Sequence, residues 1–205
     1  VAVGGGANAN DLSVAVGQQA NAAGTVAVAI GQDASATANG TVAIGQNSTS
    51  SGLRAVSLGV DTVASGNNSF AAGDGARATD EDAVAVGNIA LASGFHSTAV
   101  GGESVASGRG AQAFGWQAAA TGNLSLASGH QAVAGGVQAS AVGKSANASG
   151  ANASAFGFAA NASGASSVAT GDTSVASGLT STAVGNRAAA TDEDAVAIGD
   201  LALAS

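Results

Sequence analysis

The sequence predicts an all-β solenoid, a parallel β-roll of 14-residue coils with two short strands in each coil. Three observations carry this. Glycine recurs every seventh residue from Gly17 to Gly199, with Ala38, Asp80 and Asp192 the only exceptions. Two residues before each of these positions stands Ala, except at Ser50 and Ser57, and four residues before stands Ala, Ser or Thr in every case. Between the glycines, residue size and polarity alternate with period two, which is the signature of a strand. A strict short period means one supersecondary unit stacked on copies of itself. A helix would suffer about 1 kcal/mol at each interior glycine, whereas the abundant Val favours strands.

Taken in order, residues 1–12 run out of register, because Gly4 and Gly17 are 13 residues apart rather than 14. From Gly17 onward two kinds of heptad alternate. One reads Ser13-Val14-Ala15-Val16-Gly17, Thr41-Val42-Ala43-Ile44-Gly45 or Ala83-Val84-Ala85-Val86-Gly87; the other reads like Ala146-Asn147-Ala148-Ser149-Gly150. Both present one face of Ala, Ser, Thr and Gly. A face that small, repeated in every unit, belongs inside a very narrow roll. The two residues after each glycine, such as Gln18-Gln19, Gln32-Asp33 and Asn67-Asn68, form tight turns, and glycine supplies their backbone freedom. Nearly every charge falls in these turns or at the column positions Asp80 and Asp192; Arg77 is the strand exception.

The opposite faces differ. In the first kind of heptad they carry Val14 and Val16, Val28 and Ile30, Val42 and Ile44, Val56 and Leu58, Val84 and Val86, and Val196 and Ile198, with mixed pairs that include Phe114 and Phe156. In the second kind they carry Asn21 and Ala23, Ser35 and Thr37, Thr49 and Ser51, Asn147 and Ser149, or Asn161 and Ser163. Each coil therefore has an apolar outer sheet and a polar one. An apolar stripe about 14 coils long exceeds what soluble monomers expose, and each Val or Ile withdrawn from water stabilises by roughly 1.5–3 kcal/mol. The apolar sheet is expected to pack against copies of the same chain, with the fourteen residues just named as the interface.

Composition narrows the function. The period is unbroken, so residues 1–205 read as one domain of about 14 coils. The formal net charge is −8 with five Lys and Arg in all, which speaks against nucleic acid, since phosphate binding needs clustered cations. The absence of Cys removes disulfides and zinc thiolates. There is no apolar run long enough to be a spanning helix and no signal peptide. Val1-Ala2-Val3-Gly4 and Leu201-Ala202-Leu203-Ala204-Ser205 lie inside the repeat, so the chain is expected to be a piece of a longer array, with any membrane attachment outside it.

Repeats such as Ser13-Val14-Ala15-Val16-Gly17, Thr25-Val26-Ala27-Val28-Ala29-Ile30-Gly31 and Asn39-Gly40-Thr41-Val42-Ala43-Ile44-Gly45 resemble the head repeats of trimeric autotransporter adhesins, the YadA-like heads. The resemblance covers essentially the whole chain. It implies a left-handed parallel β-roll, a homotrimer around one axis, display on the outer membrane surface of a Gram-negative bacterium, and adhesion to a host extracellular matrix protein or cell-surface receptor. It implies no enzyme activity and no cofactor. The neck motif that ends such heads, stalk heptads and a membrane barrel are not seen.

Several residues depart from the repeat. Asp80-Glu81-Asp82 and Asp192-Glu193-Asp194 sit in two closely similar segments eight coils apart. In a trimer each could form a ring of acidic turns that meets a cation or basic ligand; the plainer reading, preferred here, is a solvated turn inside a duplicated block, with His96 stacked beside Asp82. Trp116, Phe95 and Phe158 stand at turn positions, where they either anchor a partner or wedge against a neighbouring protomer, the reading favoured. His96 and His130 fall in opposite turns, without metal-ligand or catalytic spacing. The alternatives to an adhesin are a structural spacer and an ice- or surface-binding solenoid, and the latter needs a Thr array of which only Thr180-Ser181-Thr182 is present. A calcium-binding roll needs a nonapeptide period that is missing.

Overall fold

All regular structure in the chain is β-strand, in pieces of two or three residues. The structure, a computed structural model, describes residues 1–205 and divides into two compact units, Val1–Glu103 and Ser104–Ser205. In the first unit the three-residue strands stack in parallel: Val14–Val16 on Val28–Ile30, then Val42–Ile44, Val56–Leu58, Phe70–Ala72, Val84–Val86 and Thr98–Val100. The two-residue strands stack likewise from Asn21–Ala22 to Leu91–Ala92. The second unit repeats the plan, with three-residue strands from Gln112–Phe114 to Val196–Ile198 and two-residue strands from Val105–Ala106 to Leu203–Ala204. Each residue pairs with the one 14 further on. Only the first coil differs: Ala2 faces Ala15 and Asn8 faces Asn21, a step of 13, as the Gly4–Gly17 spacing predicts.

The interior holds nothing larger than threonine. Forty alanines are buried, and the remaining buried side chains are Ser and Thr, Thr41 and Thr62 being the largest. A buried methyl contributes under about 1 kcal/mol, so burial alone does not hold a coil. The backbone does much of it. Bonds such as Val14 N–H to Ala27 O (2.9 Å) and Gly31 N–H to Val16 O (2.8 Å) tie each coil to its neighbours. The two serines that interrupt the alanine column are explained by the roll. Ser57 Oγ lies 2.7 Å from Ser48 Oγ across the interior, and Ser50 Oγ donates to Ala55 O at 2.7 Å. These hydroxyls enter the core because they satisfy one another and the backbone.

The glycine column has two physical causes rather than the single one expected. After the three-residue strands the glycines have φ near 130°, as at Gly31 and Gly143, a region that a side chain rarely enters. After the two-residue strands no such φ occurs; there a Cβ on Gly136 would stand 1.9 Å from Gly150 O. In that half the close approach of one coil to the next disfavours a side chain, and the three column positions that carry one, Ala38, Asp80 and Asp192, all fall there. The left-handed turn residue is instead the second one after the column position. It is mostly not glycine: Asn47, Asp61, Asn68, Asp82 and Asn152 occupy it, but so do Val26 and Ile89, at φ 57° and 56°. A bond from the next residue back to the column carbonyl closes most turns, as from Ala20 N–H to Gly17 O, while at Gly24 the Ser13 hydroxyl takes its place, accepting from Ala27 N–H and donating to Gly24 O.

Candidate functional site

The narrow interior, filled by Ala, Ser and Thr, leaves no room for a site within the roll, so any site lies on one of its outer surfaces. The first is the outer face of the three-residue strands. Val14, Val16, Val28, Val42, Val56, Leu58, Val84 and Val86 are half-buried there by their neighbours, while Ile30 and Ile44 remain 38% exposed, Phe114 37% and Phe156 40%. Val196 and Ile198 are also exposed. All fourteen side chains thus lie on the face that the period-two alternation assigns to them. In the second unit that face is mixed, each strand from Gln112–Phe114 to Thr182–Val184 carrying one polar and one apolar outward residue.

The face of the two-residue strands departs from the expected polar sheet. Its first outward position holds Val63, Leu91, Val105, Val133, Val175 and Leu203 as well as Asn21, Asn147 and Asn161. Only the following position is consistently small or polar, through residues such as Thr37, Ser65, Thr121 and Ser163. The asymmetry between the two sheets is real but weaker than coils such as those with Asn21, Ser35 and Asn147 imply.

The turns form the remaining surfaces. The 14-residue register stacks like on like, so polar residues make ladders: in the turns Asn47 Nδ2 donates to Asp61 Oδ1 (2.9 Å) and Asn186 Nδ2 to Asp200 Oδ1 (2.9 Å), and on the two-residue strands Asn147 Nδ2 donates to Asn161 Oδ1 (3.1 Å). The acidic segments fall into these ladders. Asp82 Oδ2 lies 3.1 Å from His96 Nε2, and both are about half exposed, a pair worth under about 1 kcal/mol. Asp80 Oδ1 accepts from the Glu81 N–H at 2.8 Å. Asp194 accepts from the Thr180 hydroxyl. Neither Asp80-Glu81-Asp82 nor Asp192-Glu193-Asp194 forms a group of ligands able to hold a metal ion within the chain. In the first unit Gly40 leaves an open groove of about 380 Å³ between Val26 and Leu53, with Thr25, Asn39 and Arg54 completing it.

On the second unit, the turns that follow the three-residue strands carry a line of large side chains. The Trp116 and His130 rings lie with centroids 4.8 Å apart and planes tilted by 31°, and Lys144 Nζ lies 5.8 Å from the centroid of the Phe158 ring. The sequence pattern singles out Trp116 and Phe158 but sets His130 aside and gives Lys144 no role. Alignment of the turns by 14 rather than by 7 is the signal that joins them.

Comparison with known proteins places this geometry in a family. The profile of the YadA head domain repeat matches residues 10–34, 27–48, 50–76, 64–88, 92–118, 120–146, 148–174 and 176–202. The chain belongs to the YadA head repeat family. It is accordingly an adhesin-type head domain of a non-enzymatic, surface-exposed class, built as a parallel β-solenoid. Among solved structures, the crystal structure of the collagen-binding domain of the Yersinia adhesin YadA is similar at 25% identity, over 88% of this chain and 69% of that one, with a TM-score of 0.28. No curated protein matches the chain. Within this YadA-type head, the alternating heptads are the family repeat itself, and both Asp-Glu-Asp turns lie within matched repeats.

Proposed function

We propose that residues 1–205 act as one adhesive head, in which three copies pack their three-residue-strand faces together and present the turns to a host matrix protein or cell-surface receptor. The observation that carries this reading is the uncovered apolar face, continuous through Val28–Ile30, Val42–Ile44 and Val56–Leu58. An uncovered face of this length favours self-association over a stable monomer, and the interface would comprise the fourteen residues from Val14 to Ile198 named above. Weak contacts at repeated turns, multiplied over three chains, would gain strength through multivalency. Attachment to an outer membrane would come through parts of the protein beyond these residues. Asp80-Glu81-Asp82 and Asp192-Glu193-Asp194 would ring the trimer as solvated acidic turns.

Light scattering behind a sizing column tests the assembly. The expected mass is three times the 18.7 kDa of one chain; a stable mass of 18.7 kDa would remove the trimer. Adhesion is tested with beads coated with the head on immobilised matrix proteins and on cell monolayers. Retention above that of uncoated beads is expected, and its absence on every surface would leave the head a structural spacer.

A further inference from the structure

One coil of the first unit carries a matched set of residues on its two edges. Its two-residue strand, Thr49–Ser50, runs into the turn Leu53-Arg54, and its three-residue strand, Val56–Leu58, runs into the turn Val60-Asp61. The two strands belong to different sheets, so the two turns stand at opposite edges of the roll. Leu53 and Val60 are 48% and 43% exposed, and Arg54 and Asp61 are exposed beside them. Neither charge meets an opposite one within the chain. Each is held by the adjacent coil instead: Arg54 Nε donates to Asn68 Oδ1 and Asp61 Oδ1 accepts from Asn47 Nδ2, both at 2.9 Å. The Arg54 Nη groups and the second Asp61 oxygen are left open. The backbone of both turns is fixed as well, Arg54 N–H bonding Asn39 O at 3.0 Å and Asp61 N–H bonding Gln46 O at 2.9 Å.

We propose that these edges are the two halves of one contact, in which the Leu53-Arg54 turn of each chain docks on the Val60-Asp61 turn of the next chain in the trimer. The proposal rests on the trimer reading above and adds to it a lateral seam, apart from the apolar face around the axis. Symmetry carries the argument. Three identical chains close a ring only through heterologous contacts, in which one edge of each chain meets the other edge of its neighbour. Rotation about an axis along the stack leaves height unchanged, so a turn meets the neighbour's opposite turn within half a coil, about 2.4 Å. Seven residues separate Leu53 from Val60 and Arg54 from Asp61, which is that half coil. The apolar residue then falls on the apolar residue, withdrawing both from water, and the guanidinium fork falls on the carboxylate.

The turns on either side, Asn39-Gly40 with Gln46-Asn47 and Asn67-Asn68 with Asp74-Gly75, pair no apolar residue with another and no cation with an anion. This coil therefore sets the level at which neighbours engage. The open groove at Gly40, between Val26 and Leu53, lies on the same edge and is covered by the same contact. A foreign acidic peptide fits less well, because it would find one guanidinium with Asp82 two coils further along the same column. A second copy supplies the apolar residue and the carboxylate together, on a rigid turn and at the matching height.

The chain has no cysteine, so cross-linking reads the contact directly. Leu53→Cys, Val60→Cys and the double variant of the intact chain are treated with a short bismaleimide and run on a denaturing gel. The double variant is expected to give a covalent band of three chains, and each single variant none. A band from either single variant means that like edges meet and overturns the proposal, as does a double variant that gives no band. Arg54→Asp and Asp61→Arg are each expected to raise the concentration at which the trimer half-dissociates at least about tenfold, and the two together to restore it; a double reversal no tighter than the single ones overturns the ion pair and the proposal with it. All four positions are exposed, and an unchanged far-ultraviolet circular dichroism spectrum shows that each variant keeps its strands. Light scattering on the unsubstituted chain separates the two readings. Three chains in solution without a cross-link in the double variant would sink the seam and leave the trimer standing; a single chain would sink the trimer, and the seam with it.

Discussion

Gly135 and Gly136 are chain neighbours with opposite demands. A Cβ at Gly136 would meet Gly150 O at 1.9 Å, and the obstacle is backbone that cannot rotate away; a Cβ at Gly135 meets only Thr121 Oγ1 at 3.8 Å. Gly136→Ala is expected to destabilise by about 3 kcal/mol or more, and Gly135→Ala to change stability by less than about 0.5 kcal/mol. Urea unfolding of the two variants checks the pair. Strain of another kind sits at Val26, a β-branched residue held at φ 57° with its side chain exposed. Val26→Asn should stabilise by about 1 kcal/mol, because asparagine tolerates the left-handed region that valine resists. Ser125 Oγ is buried and unpartnered, although Ser167 and Ser181 in the same column donate to Gly164 O and Gly178 O. Nothing in the structure explains that difference. Ser125→Ala is therefore expected to be neutral or stabilising by up to about 1 kcal/mol, read from its melting midpoint. The glycine spacing was visible in the sequence, but not its dual cause, since φ and coil-to-coil approach are properties of the stacked backbone.

A coil is defined at the scale of the strand by the width of its interior. Ala85 in the strand Val84–Val86 is fully buried and pairs with Ala71 and Ala99 in the adjacent coils. Leucine there would have to displace the opposite wall of the roll rather than fill a gap, so Ala85→Leu should cost more than about 3 kcal/mol, measured as a fall in the urea midpoint. Strand positions and inward residues were legible from the sequence, because period-two alternation assigns every second side chain to one face. The outer face of the two-residue strands was only partly legible. Coils with Asn21, Ser35 and Asn147 suggest a polar sheet, while Val63, Leu91, Val105, Val133 and Val175 occupy the same position in other coils. An outward residue is not constrained by the roll, so it varies from coil to coil, and a few coils do not speak for the rest.

For the whole molecule, the decisive quantity is the uncovered apolar face. Replacement of Val42 and Ile44 by Asp in one variant puts two carboxylates in its middle. If that face is an interface, each chain would bury charge on assembly, and light scattering should report a shift from three chains to one. An unchanged mass would place the interface elsewhere. The repeat alone carried the fold, because a period of 14 with one small face per strand admits one kind of stacking; local alternation and the size of alanine are enough to specify it. The tertiary structure decided which turn residues meet. His96 beside Asp82 and the line of Trp116, His130, Lys144 and Phe158 both follow from a step of 14, but the contacts themselves, the 3.1 Å approach of His96 to Asp82 and the 4.8 Å approach of the Trp116 and His130 rings, are set by the folded chain. Their proximity is created by the 14-residue register of the backbone, which places side chains in columns without regard to their chemistry.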